Sequence, residues 1–235
     1  MLSEKKVQFF FDASATRWSD NYGHTRKMNY RVDQFLNALK SRLRANDAVL
    51  DFGCGTGEVT GSIAAAGFAI TGCDLSSEMI KKANTKYQSA GLNFLALQED
   101  FLPRLPFLSK KFRAIISSSV FEYLPALDEY FLEMKRLLLD DGYLIFTVPN
   151  SKHPIRKIEK ILFYLNRYCF FSWLFEQAFQ ITKRRIDFNY LEISINRFST
   201  NEWLRRLAAN GFDMEEISAT KTPLLLIVAK NRSTL

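Results

Sequence analysis

Nine residues, Val49-Leu50-Asp51-Phe52-Gly53-Cys54-Gly55-Thr56-Gly57, constrain this chain more than any other stretch. A short apolar run ends on an acid, and three glycines follow at alternate positions. Glycine has no side chain and tolerates positive φ, so such a bend lets the backbone approach a ligand closely. Gly57 to Ala66 reads as a helix, ended by Gly67. The free N–H groups at its start face whatever the bend holds. A strand, a glycine bend and a helix in that order open a βαβ unit.

The spacing bears on the ligand. A dinucleotide fingerprint reads GxGxxG. Here the glycines read GxGxG, and Glu58 occupies the place of the third fingerprint glycine, where an acid opposes a pyrophosphate. A second acid, Asp74, closes the next apolar run. A carboxylate at that strand edge accepts both hydroxyls of a ribose. Asp51 suits a ligand carrying an ammonium. The pair of acids points to a nucleoside with an amino-acid-like tail.

The unit repeats along the chain. Strands are expected at Ala48–Phe52, Phe68–Cys73, Asn93–Leu97, Phe112–Ser117 and Tyr143–Val148, with helices at Ser77–Ser89 and Asp128–Leu139. Gly91, Pro103, Pro106 and Asp141-Gly142 mark turns and loops. After an interruption, Ser199-Thr200-Asn201-Glu202 opens a helix to Ala209, and Phe212–Ser218 and Leu224–Ala229 are the last strands. Ahead of the first strand, Tyr30–Leu43 carries Phe35, Leu36, Leu39 and Leu43 on one helical face.

VLDFGCGTG, then GCDLSSEMI, then Glu99-Asp100 before Phe101, resembles the class I S-adenosylmethionine-dependent methyltransferases over roughly Ala48 to Asn150, and again from Arg197 to Ala229. The resemblance implies an α/β fold: a Rossmann-like, doubly wound, mostly parallel seven-stranded sheet whose last strand is antiparallel. It implies S-adenosyl-L-methionine as cofactor. The loop at Gly53, Gly55 and Gly57 would wrap the methionine end, with Asp51 near the amino group. Asp74 would take the ribose, Leu75 would flank the adenine, and Asp100 with Phe101 would lie at the adenine edge. Ser117 completes this set at the end of the fourth strand. Asn29-Tyr30-Arg31 resembles a segment of ubiquinone-pathway O-methyltransferases, which gives Arg31 the cofactor carboxylate. The chain departs from the family at Ala114, where relatives often carry an acid, and at Tyr123, where many have His.

Three divisions follow: residues 1–46 as lid and first helix, 47–150 with 199–235 as the methyltransferase domain, and 151–198 as a helical cap. Phe10, Phe11, Asp12, Trp18, Tyr22 and His24 fall in the lid, where aromatic rings exclude water from a cofactor. Residues 151–198 hold nine basic and four acidic side chains and eleven aromatics, so most of the chain's net +7 lies there. That mix suits a hydrophobic cap over the substrate, a peripheral membrane contact through 155–185, or a dimer interface. Monomer and homodimer stay open.

Three cysteines without a CxxC pair, and two histidines, support neither a structural zinc site nor a disulfide framework. The expected location is cytoplasmic, with that peripheral contact as an addition. No signal peptide is recognised at the N-terminus. Polar residues interrupt the most apolar stretch, Ile158 to Ile181, so it is not expected to span a bilayer.

Methyl transfer needs alignment of a nucleophile with the methyl group, and a base if the acceptor is a hydroxyl. Such a base must stand at the C-terminal edges of the strands. His153, His24 and Glu122, in that order, are the candidates. The expected acceptor is a small or lipid-like molecule, methylated at oxygen. Ser117-Ser118-Ser119-Val120 stands where DNA amino-methyltransferases often carry an N/D-P-P-aromatic tetrad, and no added RNA-binding module is evident, so nucleic acid is not the expected substrate. The alternatives are a nicotinamide-dependent oxidoreductase and a cofactor-binding module without catalysis.

Overall fold

A computed structural model describes residues 4–22, 25–165, 189–218 and 222–232. Seven strands form one sheet in the order β3-β2-β1-β4-β5-β7-β6. They are β1 (Ala48–Phe52), β2 (Ala69–Asp74), β3 (Asn93–Ala96), β4 (Phe112–Ser118), β5 (Leu138–Pro149), β6 (Phe212–Ile217) and β7 (Leu224–Asn231). β1 pairs in parallel with β2 and β4, β2 with β3, and β4 with β5. β7 runs antiparallel to both β5 and β6. The order reverses at β1 and β4, so a crevice opens beyond their C-terminal ends.

Helices cover both faces: α1 (Glu4–Tyr22), α2 (Arg26–Lys40), α3 (Glu58–Ala65), α4 (Ser77–Tyr87), α5 (Leu127–Leu137), α6 (Pro154–Leu165), α7 (Asn189–Ile193) and α8 (Thr200–Ala209). Phe35, Leu39 and Leu43 pack with Val49, Val59, Ile63 and Ile116 on one side of the sheet. On the other side Leu50, Phe52, Ile115 and Phe146 meet Phe121, Phe131 and Trp203. Phe121 stacks on Phe131 at 5.3 Å and lies 4.7 Å from Phe146. Such aromatic pairs contribute about 0.5–1.5 kcal/mol each beyond their burial. They anchor the short turn Phe121–Tyr123 that follows β4.

Three elements differ from the sequence expectation. Residues Glu4–Tyr22, expected as a lid, form a regular helix. α2 starts at Arg26 rather than Tyr30, because Thr25 is an N-cap whose Oγ1 accepts from Met28 N at 3.2 Å. β5 starts at Leu138, and the expected turn at Asp141-Gly142 survives inside it as an irregularity, with Asp141 at φ +60°.

Candidate functional site

A cavity of about 1170 Å³ lies over the C-terminal ends of the strands. Phe52 and Gly53 at the end of β1, Asp74 and Leu75 at β2, Ser118 and Ser119 at β4, and Pro149 at β5 form its floor. Glu4, Val7, Gln8, Phe11, Ser14 and Trp18 of α1 close it from above. Their spacing of three and four residues puts them on one helical face. The lid therefore turns a mixed face to the cavity, with Val7, Phe11 and Trp18 among Glu4, Gln8 and Ser14, while Ala15 is buried.

The glycine bend is built from both ends. Gly53 N and Cys54 N donate to Cys73 O at 2.8 and 3.0 Å, and Gly57 N donates to Cys54 O at 3.0 Å. Gly53 sits at φ +76°, and a Cβ there would lie 2.2 Å from Val120 Cγ2. Only glycine fits, on both conformational and steric grounds. Asp74 pins the bend: its Oδ2 accepts from Gly55 N at 2.8 Å and its Oδ1 from Ser76 N at 2.8 Å. Burial raises its pKa and the two amides pull it back.

Asp51 lies beneath the bend, 1% exposed, and does not line the cavity. Thr60 Oγ1 donates to its Oδ2 at 2.7 Å, while Oδ1 is buried without a hydrogen-bond partner. Burial pushes its carboxyl up to about 7, Asp74 and Glu58 push the same way, and Thr60 opposes them. Glu58 turns inward. It accepts from Thr56 Oγ1 and pairs with Lys86 Nζ at 3.0 Å. Its charge is answered from within the protein, so it does not face a ligand as the sequence argument supposed.

The structure brings Gly53, Gly55, Asp74, Leu75, Arg31 and Glu122 to the cavity wall. Gly57, at φ +83°, caps α3 behind the bend. Ser117 is fully buried and donates to Phe52 O at 2.8 Å, fastening β4 to the end of β1. Asp100 is exposed and Phe101 is 64% exposed. Leu97 and Leu102 line the cavity in their stead. His153 stands at the start of α6, where its Nδ1 accepts from Ile155 N at 3.3 Å. It does not line the cavity. His24 lies outside the described residues, as do 166–188 of the expected cap.

Several cavity residues carried no signal in the sequence. Arg156 comes from α6, Tyr190 from α7 and Tyr130 from α5. Glu122 is 4% exposed; burial raises its carboxyl pKa, while Ser194, Arg197 and Arg156 lower it. Asp12, on α1, reaches across to α4, where its Oδ1 accepts from Ser76 Oγ at 2.5 Å.

Asp51 places a carboxyl beneath a side-chain-free cradle, which fits a ligand with a positive end above it, and the cavity-lining Asp74 carboxylate fits a nucleoside. A family model described as a methyltransferase domain matches residues 22–217. The chain is 32% identical over 112 residues to the uncharacterized methyltransferase YodH of Bacillus subtilis, covering 48% of this chain and 47% of that one. It is 29% identical over 151 residues to a ubiquinone biosynthesis O-methyltransferase of Glaesserella parasuis, covering 60% and 62%. It thus spans about half to three-fifths of the length of these relatives. The magnesium protoporphyrin IX methyltransferase of Synechocystis, solved with bound SAH, superposes with a TM-score of 0.70 at 18% identity, over 98% of this chain and 100% of that one. The [4+2]-cyclase SpnF superposes at 0.72 and 13% identity, over 99% and 97%. These likenesses establish the fold, and the second shows that the fold alone does not fix a reaction. With the family model matched across most of its length, the chain belongs to the class I S-adenosylmethionine-dependent methyltransferases, whose cofactor is S-adenosyl-L-methionine.

Proposed function

We propose that this protein methylates a small-molecule or lipid-like acceptor at oxygen. One observation carries the reading: a single cavity joins the glycine bend and Asp74 to a half that presents the buried carboxyl of Glu122. When bound, S-adenosylmethionine supplies a methyl group on a sulfonium. The bend at Gly53 and Gly55 seats its amino-acid end, with Asp51 beneath and Arg31 on the carboxylate. Asp74 holds the ribose, and Leu75, Leu97 and Leu102 form the apolar adenine wall. Phe11 and Trp18 exclude water. Tyr123, 5.4 Å from the Phe11 ring, joins the two halves. Glu122 takes the proton of the acceptor hydroxyl. His153, turned to the start of α6, gives up its place as first candidate to Glu122. The oxygen assignment also draws on the ubiquinone-pathway relative, an O-methyltransferase by name.

Calorimetry with S-adenosylhomocysteine and transfer of tritiated methyl to a panel of phenols test the reading. Asp74→Ala removes a charged hydrogen-bond acceptor, worth about 1.5–3 kcal/mol. The expected loss of affinity is about one to two decades. No heat from folded wild-type protein refutes cofactor binding here. Heat without label in any acceptor favours the non-catalytic module.

A membrane contact is a second reading for α6. Ile155, Ile158, Ile161 and Tyr164 are exposed on it, beside exposed Lys157 and Lys160. An apolar face flanked by lysines suits an anionic bilayer surface. Among the described residues no helix is long and apolar enough to cross a membrane. Flotation with phosphatidylglycerol vesicles should carry the protein upward, and Ile158→Glu with Ile161→Glu should abolish this.

A further inference from the structure

The segment Ser194–Arg197 follows α7 and touches the turn after β4 at several points. Asn196 N donates to Glu122 O at 3.0 Å. Its Nδ2 donates to Phe121 O at 2.9 Å and to Leu124 O at 2.7 Å. These bonds fix the backbone on both sides of Glu122. The side chain is fixed separately. Ser194 Oγ lies 2.5 Å from Glu122 Oε2, and Arg197 Nε lies 3.0 Å from the same Oγ. A guanidinium only donates, and a serine hydroxyl has one proton. Arg197 therefore occupies one lone pair of Ser194, and the serine proton is directed to Glu122.

We infer that Ser194, braced by Arg197, is a positioning residue that holds the Glu122 carboxylate in the cavity wall, ready to receive a proton from the acceptor. The inference rests on the hydroxyl-acceptor reading above. In the step it serves, the O–H bond of the acceptor breaks as a new O–H bond forms on Glu122, the pair left on oxygen forms the C–O bond to the methyl while the C–S pair stays with the departing sulfur, and the neutral acid later returns its proton to solvent.

The surroundings agree with this role. The charged groups acting on Glu122 are Arg197, Arg156 and Glu159. Glu159 is paired with Arg156 at 2.8 Å and with Arg197 at 3.2 Å. Two guanidiniums and two carboxylates thus balance. Burial, the larger effect, still leaves the Glu122 carboxyl raised, and the Ser194 bond and both arginines pull it part of the way back. Ser194 is itself 5% exposed, so the bond is shielded from competing water.

Carbon-13 NMR of glutamate-labelled protein tests the inference, with Glu122→Gln assigning the Glu122 carboxyl resonance. Ser194→Ala should raise the Glu122 midpoint by about one pH unit, the equivalent of one charge-assisted hydrogen bond. Ser194→Thr should restore it. Arg197→Gln should raise it too, and serves in place of the alanine variant if that does not fold. With catechol as the probe acceptor, the acid limb of the kcat–pH profile should move with the midpoint. A midpoint unchanged in folded Ser194→Ala, with affinity for S-adenosylhomocysteine retained, overturns the inference. Catechol left unmethylated by the wild type at every pH counts against the hydroxyl reading instead, while the titration still decides the positioning role.

Discussion

Asp51 shows how one side chain couples stability to ligand binding. Its carboxyl is raised from the ordinary 3.8 to about 7 by burial. Between those values the folded protein holds a proton that the unfolded chain has released. The resulting stability is complete below about pH 4 and is lost as pH rises through about 7. Asp51→Asn removes this dependence. Urea denaturation across pH 5–8 should show the variant gaining on the wild type as pH rises, by a few kcal/mol at most. On the proposed reading, ligand binding has the opposite sign, because ionised Asp51 attracts the ammonium of S-adenosylhomocysteine. Wild-type affinity should rise with pH toward 7, by up to about tenfold per unit, and stay flat in the variant. At Gly53, alanine would meet Val120 at a φ it rarely adopts, so Gly53→Ala should lower Tm and weaken cofactor binding together. That Gly53 and Asp74 meet at one bend was legible in the sequence because the bend is local, whereas the withdrawal of Asp51 beneath it was not. The setting of Glu122 was not, since Ser194 lies 72 residues away. Neither was the turning of Glu58 toward Lys86, which only the packing of α4 beside α3 brings about.

At the scale of elements, the strands and most helices followed from alternation and caps. Ser199 is the N-cap of α8, accepting from Glu202 N as the Ser-x-x-Glu pattern predicted. Ser199→Ala should cost about 1 kcal/mol in thermal denaturation and leave cofactor affinity unchanged. α1 was read as a lid without its helix. Serine, threonine and aspartate lower its intrinsic propensity, and its face with Val7, Phe11 and Trp18 meets a cavity that no single-chain pattern reveals. Asp12 ties this helix to the start of α4. Ser76 donates to Asp12 and also accepts from Met79 N at 3.2 Å, so one hydroxyl serves both elements. Asp12→Ala should speed dissociation of S-adenosylhomocysteine, followed through Trp18 fluorescence, while changing stability by less than about 1.5 kcal/mol.

For the molecule as a whole, strand order explains why residues far apart in sequence share one cavity. β1 and β4 are neighbours where the order reverses, and β5 brings α6 alongside them. On the proposed reading, α6, α7 and the Phe121–Tyr123 turn supply the acceptor half of the cavity, and β1, β2 and the bend between β1 and α3 the cofactor half. Among the described residues, deleting 155–185 removes Arg156 and Glu159 and leaves Gly53, Gly55, Asp74 and Arg31 in place. Affinity for S-adenosylhomocysteine should stay within about twofold while methyl transfer disappears; unchanged transfer would take the segment out of the acceptor site. α1 belongs to neither half. Its face runs from Glu4, 3.5 Å from the Tyr130 hydroxyl, to Trp18 above Gly55. One roof therefore shelters two tenants. On the proposed reading, the methylated product and the spent nucleoside both leave past α1, and the rate at which that helix lifts sets a ceiling on turnover however fast the bond-making proceeds.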